Sequence, residues 1–326
     1  MIKIGVIGVG HLGSIHLRLL KEISDFQVIG IFDTDYERAK AMANEYGVEA
    51  WEDMNALIDA CDAVDIVTPT LYHYECAKAA LKRFKHIFIE KPVTHTVKEA
   101  KSLMNLAREA GVKAMVGHVE RFNPAFLSMH DQELRPMFIE SHRLAQWNPR
   151  GTDVSVVLDL MIHDIDIILT VIGAGIKKVS ASGVAVISDN PDIANARIEF
   201  DNGAVANLTA SRISLKNMRK MRLFQNKKYL SIDFLNKSSE IIHINEGEGS
   251  PDPDKMKVEF SSGENKKHLT FETPKVKPVN SIKLELEEFA RSIREDVEPP
   301  VTLEQASAAL ETAYLVMEKI SQLAIV

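Results

Sequence analysis

The chain has 326 residues, 45% of them hydrophobic and 26% charged, and a formal net charge of -7 at pH 7. This length predicts two domains, and the composition is that of an ordinary globular protein. The negative charge balance argues against a nucleic-acid partner, because phosphate backbones require a cationic binding face.

The distribution of cysteine and apolar residues predicts a cytoplasmic protein. Two cysteines, Cys61 and Cys76, form no disulfide framework in a chain of this length, which fits a reducing compartment. The opening segment MIKIGVIGVG is interrupted by glycine and no cleavage site follows it, so we expect no signal peptide. The longest apolar stretch, residues 154–172, contains four ionisable side chains. No stretch therefore approaches the roughly 20 apolar residues of a membrane span.

Residues 1–120 alternate short β-branched apolar runs with helical patterns. The predicted strands span 2–7, 27–32, 65–68, 86–89 and 113–116, and the predicted helices span 16–23, 37–46, 74–82 and 97–109. Gly47 and Gly111 follow two of these helices, as C-terminal caps do. This alternation predicts an α/β domain of the Rossmann type, a doubly wound parallel sheet with helices on both faces.

Residues 121–326 show a different pattern, which predicts an α+β domain with a largely antiparallel open sheet. Residues 154–172 predict one long helix, and alternating runs dominate from 177 to 234, with a hairpin turn signal at Asp201-Asn202-Gly203. The polar segment 246–257 predicts an exposed loop between strands. Two amphipathic helices follow at 280–294 and 303–323, and the second is a candidate to pack back on the Rossmann domain.

The segment GVGHLG at 8–13 has the G-x-G-x-x-G spacing, directly after the first predicted strand and ahead of a helix. In such a segment Gly8 permits a tight turn, Gly10 lets the backbone approach a pyrophosphate, and Gly13 lets helix and strand pack closely. The helix N-terminus offers free N–H groups and a partial positive charge to phosphates. We predict a dinucleotide site formed by Gly8, Gly10, His11, Leu12 and Gly13; the alternative is a plain glycine turn.

Asp33 lies twenty positions beyond Gly13, where the second predicted strand ends. A carboxylate there accepts hydrogen bonds from the ribose hydroxyls of the adenosine and repels a 2′-phosphate, which favours NAD over NADP. Arg38 lies close in the sequence and favours the opposite choice. The alternative for Asp33 is a solvated aspartate in a turn.

Lys91 lies between Glu90 and Pro92 at the end of a predicted strand. In open α/β sheets the carboxyl ends of the strands face the ligand crevice, so this lysine could donate a hydrogen bond to a substrate hydroxyl. The alternative is a surface Glu-Lys pair before a turn proline.

The predicted helix at 154–172 is apolar on most sides, yet it carries Asp159, His163 and Asp166 within roughly 60° of one another at about 100° per residue. Ionisable groups on a buried stripe are costly unless they face a polar cavity or partners. We predict that His163 is a general base and that Asp159 orients it or the substrate. Asp164 points elsewhere on this helix, and the alternatives are a satisfied core network or a salt bridge at the N-terminus of the helix.

Two further polar segments are candidates for substrate contacts. One follows the strand at 113–116 and comprises His118, Glu120, Arg121 and Asn123; its alternative is a polar loop between domains. The other is a basic stretch with seven cationic residues at 212–228, which could meet a diphosphate or simply protect exposed sheet positions. His16, Trp51 and Trp147 receive no chemical role.

Four segments together resemble the Gfo/Idh/MocA oxidoreductases. They are GVIGVGHLG near the start, TPTLYH at 68–73, EKP at 90–92 and DLMIHDID at 159–166. The resemblance implies an NAD-dependent sugar dehydrogenase that uses Lys91, Asp159 and His163 for catalysis and substrate binding. It also implies that the cofactor is lined by Thr68, Pro69, His73, Glu90 and Lys91.

A narrower resemblance concerns the nucleotide-sugar branch of that family, the UDP-N-acetylglucosamine 3-dehydrogenases. It rests on the segments 116–125, 149–166 and 211–224 and implies a sugar or UDP-sugar substrate. Family members form oligomers, so the resemblance also implies a homodimer or homotetramer built through the C-terminal sheet.

Two other functions compete with the dehydrogenase. An NADP-linked reductase of another carbonyl is opposed by Asp33, and a non-catalytic NAD-binding regulator is opposed by the intact set Lys91, Asp159 and His163. The sequence predicts no metal site.

Overall fold

The computed structural model describes residues 1–148, 154–246, 257–262 and 265–323. Its residues cluster into two compact units, the first formed by Met1–Phe122 with Val279–Glu311 and the second by Asn123–Pro278 with Thr312–Val326. The sequence-based division at 120/121 places residues 279–311 in the second domain, whereas in the structure they cluster with the first. No helix of the described ranges has both the length and the apolar character needed to span a membrane.

The first unit contains a six-stranded parallel sheet in the order β3-β2-β1-β4-β5-β6. Its strands are β1 (Ile2–Ile7), β2 (Phe26–Phe32), β3 (Glu49–Ala50), β4 (Ala63–Ile66), β5 (His86–Glu90) and β6 (Ala114–Gly117). The helices between them are α1 (His11–Glu22), α2 (Tyr36–Tyr46), α3 (Met54–Ala60), α4 (Thr70–Leu81) and α5 (Val97–Ala110). The strand order reverses between β1 and β4, where open α/β sheets bind ligands.

Local signals explain most of these elements. Thr96 and Glu99 form a capping box at the start of α5, and Gly47 and Gly111 end α2 and α5 in the left-handed conformation. Two predicted helix starts are wrong, because α4 begins at Thr70 rather than at residue 74 and α1 begins at His11 rather than at residue 16. Its first turn is formed by the fingerprint itself, which an apolar pattern does not reveal. The short β3 and α3 were not predicted.

The second unit is built on a nine-stranded sheet in the order β14-β15-β13-β12-β11-β7-β10-β9-β8. Its strands are β7 (Phe138–Leu144), β8 (Ile176–Val184), β9 (Ile193–Phe200), β10 (Val205–Ser211), β11 (Met218–Gln225), β12 (Lys228–Asp233), β13 (Ser238–Glu246), β14 (Lys257–Ser262) and β15 (Asn265–Glu272). All neighbours pair antiparallel except β7 and β10. The predicted hairpin between β9 and β10 is confirmed, with Gly203 at a φ of +85°. The predicted loop at 246–257 lies almost entirely outside the described residues.

Two helices belong to this unit, the short α6 (Pro124–Leu127) and α7 (Ile162–Ile172). The sequence predicts one helix over 154–172, but residues 157–161 form a π-helical turn and α7 begins at Ile162. The wider π turn changes the angular spacing between Asp159 and the residues that follow it. Such turns are frequent at functional sites.

The last two helices are α8 (Ser281–Arg294) and α9 (Leu303–Leu323), as the amphipathic patterns predict. Helix α8 packs on α1 and β6 of the first unit. Its Phe289 ring lies 5.8 Å from that of Phe88 and 6.3 Å from that of Phe26. This aromatic contact helps to hold α8, which is remote in sequence, against the Rossmann sheet.

Candidate active site

The glycine fingerprint forms the turn from β1 into α1. Gly8 has a φ of +93°, and a Cβ on it would lie 2.9 Å from the Thr68 nitrogen. A Cβ on Gly13 would collide with the Gly8 carbonyl oxygen. A Cβ on Gly10, in contrast, would meet no atom of the described residues within 4 Å. Packing therefore explains Gly8 and Gly13, while Gly10 borders open space at the N-terminus of α1.

This open space belongs to a cavity of about 600 Å³ in the first unit. Most residues predicted to bind a dinucleotide line it, namely Gly8, Gly10, His11, Leu12, Asp33, Thr68, Pro69, Glu90 and Lys91. Arg38 lines it as well, and the sequence assigned no part in the site to other lining side chains such as those of Tyr72 and Glu75. One cavity thus extends from the fingerprint to the turn that carries Lys91.

Asp33 is fixed at the end of β2 by main-chain donors. One carboxylate oxygen accepts a hydrogen bond from the Val9 nitrogen at 2.9 Å, and the other accepts one from the Asp35 nitrogen at 2.9 Å. The guanidinium of Arg38 approaches Asp33 to 3.6 Å, and it also pairs with Asp35 at 2.9 Å. The carboxylate is therefore preorganised, although Arg38 offsets part of its charge.

His73 lies behind the wall of the cavity rather than in it. One ring nitrogen lies 2.8 Å from the Thr68 carbonyl oxygen and the other 2.8 Å from that of Pro92. Burial lowers the pKa of His73, and the two carbonyl groups act in the opposite direction. The ring bridges the end of β4 to the segment that follows Lys91, so its contact with a cofactor would be indirect.

Lys91 is half-buried directly after β5. The preceding Glu90 is buried, and its carboxylate accepts a hydrogen bond from the Lys91 main-chain nitrogen at 3.1 Å. A Cβ on Gly117 of the neighbouring strand would lie 2.8 Å from a Glu90 oxygen. The space for this carboxylate thus depends on a glycine in β6.

Behind Glu90 lies a group of four buried ionisable side chains, which we call the buried cluster: His16, Asp65, Glu90 and Glu285. The two ring nitrogens of His16 face carboxylates, with Nδ1 3.0 Å from Asp65 and Nε2 3.2 Å from Glu90. One ligand-type atom from each of His16, Glu90 and Glu285 lies within 4.8 Å of the others. Among the described residues, neither oxygen of Glu285 has a hydrogen-bond partner.

Burial and charge set the protonation of this cluster. Burial lowers the pKa of His16, but the charges and hydrogen bonds of Asp65 and Glu90 outweigh it and hold that pKa well above its ordinary value. Burial raises the pKa of Asp65, which the His16 charge partly offsets. Burial also raises the pKa of Glu285 well above its usual range, and the neighbouring Glu90 adds to this effect. These shifts favour the imidazolium form of His16 and the neutral carboxylic acid form of Glu285.

The sequence reasoning missed the buried cluster. Two signals were present: Asp65 interrupts a fully buried strand, and His16 lies among leucines on the buried face of α1. Burying an ionisable group at either position costs free energy unless the group has partners. The partner Glu285 comes from α8, too far along the chain for any local pattern to connect them.

In the second unit, Asp159 lies in the π-helical turn and His163 in the first turn of α7, and both are half-buried. Asp164 and Asp166 are buried on the same segment. Asp164 pairs with the buried Arg143 of β7 at 2.7 Å. Asp164 therefore belongs to a structural ion pair, whereas Asp159 and His163 are half-buried and lie four residues apart in sequence.

The polar segment after β6 is buried rather than open. Arg121 donates hydrogen bonds to the Pro300 carbonyl and to Gln305. Asn123 caps α6 through the Ala125 nitrogen and donates to the Phe234 carbonyl. His118 and Glu120 are also buried. These contacts give Arg121 and Asn123 structural roles within their own units.

The basic stretch at 212–228 lies mainly on β11 and the turn after it. Several of its cations already pair with the chain: Arg212 with Asp192 at 4.0 Å, Lys220 with Asp233 at 3.3 Å, and Arg222 with Glu140 at 3.4 Å. Lys228 donates to Gln132 at 3.1 Å. These pairs favour the interpretation that the cations belong to the polar face of the sheet.

Two models of one protein family match consecutive parts of the chain between residues 2 and 230. The model described as "Oxidoreductase family, NAD-binding Rossmann fold" matches residues 2–118. The model of the "GFO/IDH/MocA C-terminal domain" matches residues 115–230.

Curated relatives agree with these models. The chain is 41% identical to the UDP-N-acetylglucosamine 3-dehydrogenase of Acidithiobacillus ferrooxidans over 246 residues, which covers 75% of this chain and 78% of the relative. It is 32% identical to the scyllo-inositol 2-dehydrogenase (NAD(+)) of Bacillus subtilis over 234 residues, with coverages of 65% and 68%.

Solved structures show the same architecture. The structure of the Acidithiobacillus ferrooxidans UDP-N-acetylglucosamine 3-dehydrogenase matches with a TM-score of 0.88 at 33% identity, covering 98% of both chains. The scyllo-inositol dehydrogenase of Lactobacillus casei, solved with NAD(H) and scyllo-inositol, matches with a TM-score of 0.78 at 22% identity and coverages of 99% and 97%. The latter likeness concerns the fold alone.

Proposed function

The chain belongs to the Gfo/Idh/MocA family of NAD-binding oxidoreductases, and from this premise we propose that it oxidises a secondary hydroxyl of a sugar or nucleotide sugar. The observation that supports a dehydrogenase most directly is the single cavity that joins the glycine fingerprint to Lys91. The substrate class rests on the relatives, which are named as dehydrogenases of an amino sugar nucleotide and of an inositol.

The residues of the first unit fit NAD. Gly10 leaves open space at the N-terminus of α1, where backbone N–H groups can meet a pyrophosphate. Asp33 lies at the end of β2 with its carboxylate held for the ribose hydroxyls. When bound, NAD supplies the acceptor for the hydride that leaves the substrate carbon.

Three side chains would act on the substrate. His163 would take the hydroxyl proton as general base, because an imidazole titrates near neutral pH. Asp159, four residues earlier, would orient that ring or the sugar. Lys91 would donate a hydrogen bond to the reacting oxygen and so fix its position.

Asp33 leads to a prediction about cofactor choice. We expect NAD to bind at least about tenfold more tightly than NADP, a difference of roughly 1.4 kcal/mol. Titration of protein fluorescence with each cofactor measures both affinities. The variant Asp33→Ala should reduce the difference between the affinities for NAD and NADP. The variant Asp53→Ala, which removes only the N-cap of α3, should leave that difference unchanged. Equal or tighter binding of NADP would contradict the prediction.

The substrate test compares free sugars and inositols with UDP-linked sugars at equal concentration, following the absorbance of reduced cofactor. We expect UDP-N-acetylglucosamine to be the best substrate, oxidised at a secondary ring hydroxyl. Because the basic stretch is largely paired within the chain, this expectation rests on the 41% identical relative rather than on those cations. Activity confined to free sugars or inositols would reject the nucleotide sugar and leave the dehydrogenase intact.

We also propose that two or four copies assemble through the exposed face of the nine-stranded sheet. Phe138, Phe224 and Tyr229 lie side by side there, with ring centroids 5.9 and 5.0 Å apart, and Phe224 is 36% exposed. Such an aromatic group is typical of an interface core. Light scattering should show a dimer or tetramer that Phe224→Glu dissociates; a monomeric wild-type protein at micromolar concentration would reject the proposal.

A further inference from the structure

Glu90 is held from two sides, which gives the buried cluster a connection to Lys91. One Glu90 oxygen lies 3.2 Å from His16 Nε2, and the other accepts the Lys91 main-chain N–H at 3.1 Å. His16 is in turn fixed by Asp65 at 3.0 Å through its other nitrogen. A continuous chain of polar contacts therefore runs from β4 through α1 to the turn after β5.

His16 does not line the cavity, whereas Glu90 and Lys91 do. His16 itself is fully buried. Any influence of His16 on Lys91 along this chain must therefore pass through the Glu90 carboxylate. If His16 were absent, Glu90 would be a buried carboxylate without its counter-charge, a state that costs free energy and favours movement of the side chain toward solvent. That movement would break the hydrogen bond between the Lys91 main-chain nitrogen and the Glu90 carboxylate.

We propose that His16, Asp65 and Glu90 are positioning residues, which hold the Lys91 turn so that the lysine amine points to the reacting oxygen. This inference rests on the proposed role of Lys91 in the dehydrogenase. It assigns a role in the reaction to three buried groups that act through the position of Lys91. Preorganisation of this kind affects turnover more than cofactor affinity, because small displacements of a reacting group are costly.

The first test measures Lys91 directly and requires no substrate. Each protein is treated with an amine-reactive acylating reagent at pH 8, and the rate of Lys91 modification is followed by peptide mass spectrometry. The exposed Lys98 on α5 serves as the internal reference. We expect Glu90→Gln and His16→Gln to change the Lys91 rate relative to Lys98 by about threefold or more, because the turn loses its anchor.

The second test is a double-mutant cycle on turnover. We expect each of the two variants to lower kcat about tenfold, and the Kd for NAD to stay within about threefold for His16→Gln, whose side chain does not line the cavity. In a Lys91→Ala background the same substitutions should lower kcat by less than about twofold, because their effect on turnover acts through the lysine. Asp192→Asn removes a carboxylate that is equally buried in the second unit and should leave the Lys91 rate and kcat unchanged.

Three results would overturn the proposal. One is an unchanged Lys91 modification rate in both folded variants. Another is an equal loss of kcat with and without Lys91, which would indicate a general structural effect. The third is one equivalent of metal in the purified protein that both variants lose, since that would make the cluster a metal site. If Glu90→Gln does not fold, His16→Gln alone decides the outcome. If no sugar proves to be a substrate, the labelling test of Lys91 can still be carried out and interpreted, because it requires no substrate.

Discussion

Replacement of His163 by alanine is expected to lower kcat by about 10²–10⁴ and to leave the affinity for NAD nearly unchanged. The loss follows from removal of the group that takes the hydroxyl proton, since water is a poor substitute for a positioned base. NAD affinity should persist because the fingerprint, Asp33 and the cavity they line belong to the first unit, whereas His163 belongs to the second. Steady-state kinetics with saturating NAD, together with a cofactor titration, measures both quantities.

His243 offers a matched control, because it is a partly exposed histidine of the same unit that pairs with Glu272 at 2.9 Å on the sheet. His243→Ala should keep kcat within about twofold of the wild type. If His163→Ala retains near wild-type turnover from pH 6 to pH 9, the base has been assigned wrongly. The half-buried Asp159 and His163 would then have a structural role, as the Asp164–Arg143 ion pair has.

The variant Glu285→Gln is expected to raise the free energy of unfolding at pH 8 by about 1–3 kcal/mol. Burial and the nearby Glu90 raise the pKa of Glu285 in the folded protein, which favours its protonated form, whereas the unfolded chain ionises it at its ordinary value. A raised folded-state pKa contributes stability that is fully present below the unfolded-state pKa and is lost as the pH rises toward the folded-state pKa. Glutamine has the shape of the neutral acid and does not titrate, so the variant escapes this loss.

The gain should therefore depend on pH in a defined direction. Thermal or urea unfolding should show little difference between variant and wild type near pH 4.5 and a difference that grows toward pH 8. His16 is present in both proteins, so its own titration contributes to both curves. Glu287→Gln, on the same helix but half-buried, should show no such growth. A pH-independent difference, or a variant less stable at pH 8 than the wild type, would mean that Glu285 is ionised in the folded protein.

The sequence predicted the parts of the molecule that local physics determines. The glycine fingerprint and Asp33 lie within 26 consecutive residues, and each has a steric or electrostatic reason that can be stated without the fold. Local backbone geometry likewise explains the left-handed helix caps at Gly47 and Gly111 and the hairpin turn at Gly203.

What the sequence could not predict depends on contacts between distant segments. The buried cluster joins α1, β4, β5 and α8, and no pattern in any one of them indicates the others. The π turn at 157–161 follows from packing within the second unit, since an apolar periodicity does not distinguish it from an α-helix. The structural contacts of Arg121 and Asn123 likewise depend on partners 111 to 184 positions away.

The late position of α8 in the chain also has a consequence for biosynthesis. The first unit is interrupted after Phe122 and resumes at Val279, so a ribosome must translate the 156 residues of 123–278 before it reaches the segment that contains α8. At translation rates of about 5–20 residues per second, this interval is roughly 8–30 s. Until then Phe26 and Phe88 of the nascent Rossmann sheet have no contact with Phe289. The buried cluster also lacks Glu285 and is exposed to water. During that interval the nascent chain presents an apolar surface of the kind that chaperones bind.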